Sequence, residues 1–106
     1  MNNWPEQFRI AAKDWCDKHA AAELLEETKT ATFSQKVAPL VTDGTPVNRA
    51  EVHVRASDEW HQYLEEMVAA RKAANLAKVK MEWLRMCFKE EEARNYAVRA
   101  EKNMTR

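Results

Sequence analysis

The 106-residue sequence contains few residues that turn or break a chain, with one Gly and three Pro in total. A sheet protein of this length needs several tight turns, which Gly and Pro commonly supply. Alanine, glutamate, lysine, arginine, leucine and methionine are plentiful instead, and these residues favour helices. The composition therefore predicts an all-α protein that forms a single domain over residues 1–106.

Neither sign of charge is in excess, because 17 basic residues balance 17 acidic ones. The whole molecule thus exerts no long-range attraction on nucleic acid or on an anionic membrane. No apolar run approaches the roughly 18 residues of a membrane span, and the first residues lack the apolar segment of a signal peptide. Cys16 and Cys87 are too few for a disulfide framework. We expect a cytoplasmic protein that does not contact membranes and keeps both thiols reduced.

Familiar catalytic motifs are missing as well: the sequence has no phosphate-binding loop, no Cys-x-x-Cys pair and no nucleophile elbow. Cys16 and His19 lie one helical turn apart and could supply half of a zinc site, with His53 or His61 as distant ligands. A second local pair of ligands is absent. We therefore predict that the protein is not an enzyme and has neither a metal site nor a cofactor.

Carboxylates are frequent in the C-terminal half, at Glu65, Glu66, Glu90, Glu91 and Glu92. Carboxylate-bridged metal clusters in helical bundles also use inward-facing Glu-x-x-His pairs, which this sequence lacks. These residues are therefore interpreted as a solvated acidic face.

Capping and turn residues divide the chain into four helices, predicted at about 4–28, 31–41, 46–56 and 58–103. The first starts where Asn2-Asn3 can cap a turn that contains Pro5. Three Thr within residues 28–32 weaken helix propensity and predict a bend or break there. Gly44 supplies the next turn, and Thr45-Pro46 starts the third helix.

The third helix has an alternative, because residues 51–55 alternate in the manner of a strand. A lone strand would have no partner in this sequence, so a helix is favoured. Ser57 followed by two acids is then a helix start, since a cap and negative charges both stabilise the N-terminal end.

Beyond Ser57 no Gly or Pro interrupts the chain, and apolar residues recur in alternate steps of four and three, the heptad period of a coiled coil. We call these residues the seam: Tyr63, Met67, Ala70, Ala74, Ala77, Met81, Leu84 and Phe88. A helix extending to Asn103 would be roughly 70 Å long at 1.5 Å per residue. The N-terminal helices are expected to fold back over part of it and to leave the rest protruding.

Further apolar residues are interpreted as lying beside the seam, namely Trp60, Leu64, Leu76, Val79, Trp83 and Met86. More than one helix must then cover this broad face. The small residues Ala70, Ala74 and Ala77 allow another backbone to approach closely. We therefore predict a homodimer, antiparallel or crossed, with Met67 to Phe88 of the seam as its contact. The alternative is a monomeric hairpin with a solvated end.

Basic residues on one flank of the seam, Arg71, Lys78, Arg85 and Arg99, could follow a phosphate backbone. The first helix, however, is rich in Asp and Glu, and charges that flank a coiled coil commonly pair between helices. Pairing within the chain or the dimer is favoured, so nucleic-acid binding is expected to be weak.

From about Phe33 to Glu101 the order of features resembles a family of small all-helical tailed-phage proteins from early or recombination-region genes. The matching elements are Gly44-Thr45, Arg49 to Glu51, Ser57-Asp58, Trp60 to Leu64, Ala70 to Ala74, Phe88 and Arg99 to Glu101. The sequence departs from the family at Glu91-Glu92-Ala93, where Trp-Arg-Ser would be expected. The resemblance implies a phage accessory protein in a bacterial host cell, acting in DNA metabolism or against a host factor, without a catalytic residue.

The leading hypothesis is a non-enzymatic adaptor or inhibitor that binds a host or phage protein, possibly one of DNA metabolism, through its long helix. The residues expected to bind the partner are Trp83, Arg85, Met86 and Lys89, since apolar and aromatic anchors with charged flanks are typical of such contacts. The alternative function is a nucleic-acid-binding accessory protein in phage recombination or replication.

Overall fold

The structure, a computed structural model, describes residues 3–104, and this part of the chain is helical apart from short turns. Its helices are α1 (Trp4–Glu27), α2 (Lys29–Thr42), α3 (Val47–Arg55) and α4 (Asp58–Met104). The all-α prediction is confirmed, including one dominant C-terminal helix of 47 residues.

Two of the predicted helix starts have the expected capping contacts. The Asn3 side chain accepts a hydrogen bond of 3.3 Å from the backbone N–H of Glu6, and Pro5 lies in the first turn of α1. Asn2, the other candidate cap, lies outside the described residues. Ahead of α4, Ser57 Oγ accepts a 3.2 Å bond from the N–H of Trp60 and donates to the carbonyl of Val54. Ser57 therefore joins the end of α3 to the start of α4.

The break between α1 and α2 is shorter than predicted, because only Thr28 interrupts the helical run. The other two threonines of residues 28–32 lie within α2. Thr28 Oγ1 donates to the carbonyl of Leu24 at 2.7 Å and lies 3.2 Å from the Tyr63 hydroxyl. Tyr63 in turn donates to the carbonyl of Leu25, in the last turn of α1, where carbonyls lack helical partners. One residue of α4 thus fixes the position of the break.

The four helices form two antiparallel arms, one made of α1 and α2 and the other of α3 and α4. The arms are joined at Gly44, whose φ of +100° lies in the left-handed region that glycine adopts without strain. Within this hairpin α1 packs on α4, and α2 packs on α3. The molecule measures 89 × 18 × 16 Å, which is two helices across. Each helix therefore has one covered side, and the core is a single row of side chains.

The long helix extends past the first one, as the sequence predicted. Trp4 and Phe8, at the start of α1, pack beside the buried residues Met81 and Leu84 of α4. From Lys89 to Met104 every residue is exposed except Glu91, which is half-buried. Lys89 and Glu92 still line a groove with Pro5 of α1, so the part of α4 that protrudes beyond α1 is residues 93–104, roughly 18 Å at 1.5 Å per residue.

Candidate protein-binding surface of the long helix

The seam of α4 is covered by α1 of the same chain. Ala74, Ala77, Met81 and Leu84 are buried, while Met67, Ala70 and Phe88 are half-buried. On the facing helix Ala11 and Ala22 are buried, so small residues bring the two backbones together. A second copy could reach the predicted oligomer seam only by displacing α1.

Four large apolar residues of α4 were predicted from the sequence to lie beside the seam. In the structure they lie on the opposite side of the helix. We call Leu76, Val79, Trp83 and Met86 the outer stripe; each lies two positions after a buried seam residue. Since two residues advance a helix by about 200°, these positions lie on the side of α4 opposite the seam, and among them the Trp83 ring reaches back to contact Trp4 of α1. Their side chains are 62%, 62%, 55% and 60% exposed.

Trp60 and Leu64 behave differently from the outer stripe, although the sequence analysis grouped them with it. Trp60 is buried and Leu64 is half-buried near the start of α4. The Phe33 ring of α2 packs edge-on against Trp60, with a centroid distance of 5.1 Å. Trp60 and Leu64 therefore belong to the core of the hairpin.

Trp83 is exposed but held in place by the first helix. Its ring meets that of Trp4 edge to face, at a centroid distance of 6.4 Å and an interplanar angle of 86°. Aromatic pairs prefer this geometry, which orients the ring of a residue that remains more than half exposed. Trp83 is therefore presented as a fixed aromatic anchor on the surface.

A shallow groove of about 370 Å³ lies between the start of α1 and the flank of α4 next to Met86. We call it the end groove; it is lined by Pro5, Phe8, Arg85, Phe88, Lys89 and Glu92. The Arg85 guanidinium lies over the Phe8 ring, 5.4 Å from its centroid. The lining combines two Phe rings with the cations Arg85 and Lys89, which outnumber the single carboxylate of Glu92, so the groove suits an apolar side chain that has an acidic neighbour.

All four residues predicted to bind a partner, Trp83, Arg85, Met86 and Lys89, are exposed at this end of the hairpin. The structure adds Trp4 and Phe8, which the sequence analysis did not assign to the site. Their only signal in the sequence is that two aromatic residues lie one turn apart at the very start of the first helix. Which part of α4 they meet depends on the antiparallel packing, which no local pattern specifies.

The predicted basic stripe is divided by the fold. Arg71 donates two hydrogen bonds to Glu26 of α1, at 2.8 and 2.7 Å, and lies 3.2 Å from Nδ1 of His19. Arg85 lies over Phe8, as described. Lys78 and Arg99 are exposed and form no ion pair with the residues between 3 and 104. The expectation that acidic residues of the first helix pair with this stripe is therefore confirmed at Arg71.

The Arg71–Glu26 pair also shifts the pKa of both partners. Hydrogen bonds from Arg71 hold the pKa of the Glu26 carboxyl below its usual range, and the same bonds raise the pKa of Arg71. Because the carboxyl has a lower pKa when folded than when unfolded, it stabilises the fold above its unfolded pKa. That contribution is lost as the pH falls through the lowered pKa.

We expect Arg71→Gln to return the pKa of Glu26 toward its usual range, as measured by NMR titration of the side-chain carboxyl. The stability advantage of the wild type over this variant, measured by denaturant unfolding, should then shrink in acid. Arg94→Gln is the control, since Arg94 approaches Glu90 at 3.9 Å on the protruding part of α4. An identical Glu26 titration in the wild type and in Arg71→Gln would refute the pairing in solution.

The residues considered for a metal site are not brought together. Cys16 is exposed, and His19 stacks on Trp15 with a centroid distance of 5.3 Å. Between residues 3 and 104, no three His, Cys, Asp or Glu side chains are placed to hold a metal ion. None of the helices in that range is long and apolar enough to cross a membrane.

Comparison of the chain with known protein families, with curated proteins and with solved structures found no match.

Proposed function

We propose that the protein is a non-enzymatic adaptor or inhibitor that binds another protein through the exposed end of α4. The observation that carries the proposal is the clustering of Trp83, Met86, Arg85 and Lys89 beside Trp4 and Phe8 of α1. Trp and Arg are enriched among the residues that dominate binding energy at protein interfaces. A tryptophan already oriented by its neighbour also loses little conformational freedom on binding.

The chemistry of the end groove indicates what the partner presents. Phe8 and Phe88 offer an apolar floor, and Arg85 and Lys89 lie on its edge. An amphipathic helix with an acidic residue next to an apolar anchor fits such a surface. The phage or prophage setting, the bacterial cytoplasm and a partner from DNA metabolism are proposed from the sequence resemblance.

The test is affinity capture from bacterial lysate, with and without phage infection, followed by mass spectrometry. We expect one host or phage protein to be recovered by the wild type and lost with Arg85→Glu combined with Lys89→Glu. The control combines Lys29→Glu with Arg49→Glu, which makes the same charge change on exposed residues of α2 and α3. A protein recovered equally by all three baits, or by none, would contradict the proposal.

Nucleic-acid binding is the second candidate, because Lys78, Lys89 and Arg99 are exposed on α4. Glu26 already engages Arg71, so we expect only weak binding of a labelled single strand or duplex at physiological salt. Nonspecific binders typically show Kd values of about 10⁻⁴ to 10⁻⁶ M under such conditions. Fluorescence anisotropy measures this directly. Submicromolar binding that is lost when Arg71, Lys78 and Arg85 are all changed to Glu would make nucleic acid the better candidate.

A further inference from the structure

We infer that the outer stripe binds a second copy of this chain, with the two α4 helices antiparallel and related by a two-fold axis at the level of Met81. The inference goes beyond the adaptor function, because it assigns the outer stripe to a second copy; Trp83 and Met86 take part in both contacts, so the second copy and the partner protein compete for them. It rests on the spacing of the stripe and on the charges at its two ends.

The spacing of the outer stripe is that of a coiled coil. Leu76, Val79, Trp83 and Met86 follow steps of three, four and three, and each is more than half exposed. A heptad period keeps a row of side chains facing one partner helix along its length. Exposed apolar rows of this kind mark interaction surfaces on soluble proteins. The outer stripe is thus a second seam on α4, and within residues 3–104 its one aromatic contact with another helix is that of Trp83 with Trp4.

The spacing of the outer stripe and of the charged residues at its two ends is symmetric about Met81. Lys72 lies four residues before Leu76, and Glu90 lies four residues after Met86, so the steps from Lys72 to Glu90 are symmetric about Met81. In an antiparallel pair Val79 faces Trp83 of the second copy, and Leu76 faces its Met86. At each end Lys72 then faces Glu90 of the second copy. Four apolar layers are therefore bracketed by two ion pairs.

A parallel arrangement would place like charges together. Lys72 would face Lys72 of the second copy, and Glu90 would face Glu90, both at positions that point into the contact. Like charges placed opposite each other at an interface oppose association, so charge selects the antiparallel orientation. Near the axis Lys80 and Glu82 lie on opposite edges, each close to its equivalent in the second copy. These edge charges remain solvated and weaken the dimer only modestly.

In the same register, the protruding part of α4 lies against the N-terminal half of α4 in the second copy. Beyond the ion pairs, Ala69 faces Ala93 of the second copy, and both residues are exposed in one chain. Small residues let the helices stay close over these outer layers. At about 100° per residue, Lys89 lies about 100° and Arg85 about 140° around α4 from the middle of the stripe, so the end groove remains open in the dimer.

The test is analytical ultracentrifugation of the purified full chain from submicromolar to high micromolar concentration. We expect a reversible monomer–dimer equilibrium in the wild type. Val79→Glu should abolish it while leaving the helical circular dichroism signal unchanged, because Val79 is exposed in one chain. Val52→Glu is the matched control: Val52 of α3 is 63% exposed, against 62% for Val79. A wild type that stays monomeric throughout would overturn the inference.

Charge exchange tests the orientation. Lys72→Glu alone, or Glu90→Lys alone, should raise the dimer Kd roughly tenfold or more, since each creates two like-charge contacts. The double variant, Lys72→Glu with Glu90→Lys, restores both pairs in the antiparallel register and should recover most of the affinity. In a parallel dimer the double variant would still place like charges together. Failure of the double variant to recover would therefore overturn the antiparallel register.

The two proposals fail separately. A monomeric protein that still captures a partner through Arg85 and Lys89 would overturn the dimer and leave the adaptor function standing. A dimer that responds to charge exchange, but captures no partner protein, would overturn the adaptor function and leave the dimer standing.

Discussion

Ala22→Glu is expected to separate α1 from α4 and to destabilise the protein by roughly 3 to 5 kcal/mol. Ala22 is fully buried between these helices. A carboxylate there would be desolvated without a partner, and its bulk would force the two backbones apart. Because native domains are stable by only about 5–15 kcal/mol, much of the fold would be lost. Circular dichroism with urea titration measures this effect.

Ala21→Glu is the matched control, since Ala21 is the adjacent residue and is exposed. Surface substitutions of this kind usually change stability by no more than about 0.5 kcal/mol. Equal unfolding midpoints for the two variants would show that α1 does not cover α4 in solution.

A second large effect is expected from comparing two leucines of the same helix. Leu84 of the seam is 4% exposed, whereas Leu76 of the outer stripe is 62% exposed. Leu84→Ala should cost about 2 to 5 kcal/mol, because it removes buried methyl groups and leaves a cavity beside Met81 and Ala11. Leu76→Ala should leave the stability of the dilute protein almost unchanged and weaken only self-association.

Both variants are measured by urea unfolding at low protein concentration, where dimer formation does not contribute. Similar losses at the two positions would mean that both sides of α4 are buried within one chain.

The helices themselves could be predicted because their signals are local. Asn3, Ser57 and Gly44 fix two starts and a turn through contacts within a few residues. The threonines were misjudged as a broad break because propensity adds along a segment. In the fold a single residue, Thr28, separates the two helices, and Tyr63 of α4 contacts this break from a distant part of the sequence.

Which side of α4 the first helix covers could not be predicted as readily. Ala74 and Leu76 belong to two rows with the same heptad spacing, so hydropathy alone does not show which row α1 covers. The fold resolves this because Ala22 and Ala74 permit close helix packing, whereas Leu76, Val79 and Trp83 form a bulky row. From the sequence alone, both rows are therefore predicted to form one broad face.

Only the α4 residues of the candidate site could be predicted, because the contribution of α1 depends on how the two helices pack. Trp83, Arg85 and Lys89 could be chosen from their positions on one helix. Trp4 and Phe8 come from the far end of the chain, and only the antiparallel packing brings them to Trp83 and Arg85. The Arg71–Glu26 pair was anticipated as a pairing between acidic residues of the first helix, Glu26 among them, and the basic flank of the seam; the antiparallel packing determines that Arg71 is the residue that meets Glu26.

The central claim is that α1 covers the seam of α4 within one chain and leaves the opposite side open. Methionine oxidation with dilute peroxide, followed residue by residue with peptide mass spectrometry, tests it most directly. Exposed methionines oxidise readily, and the exposed fractions of Met81, Met86 and Met104 are 7%, 60% and 86%. We predict that Met81 is protected at every protein concentration, whereas Met86 reacts like Met104 in dilute solution and becomes protected as concentration rises. A Met81 that loses its protection on dilution, or that reacts as fast as Met104, would contradict the claim.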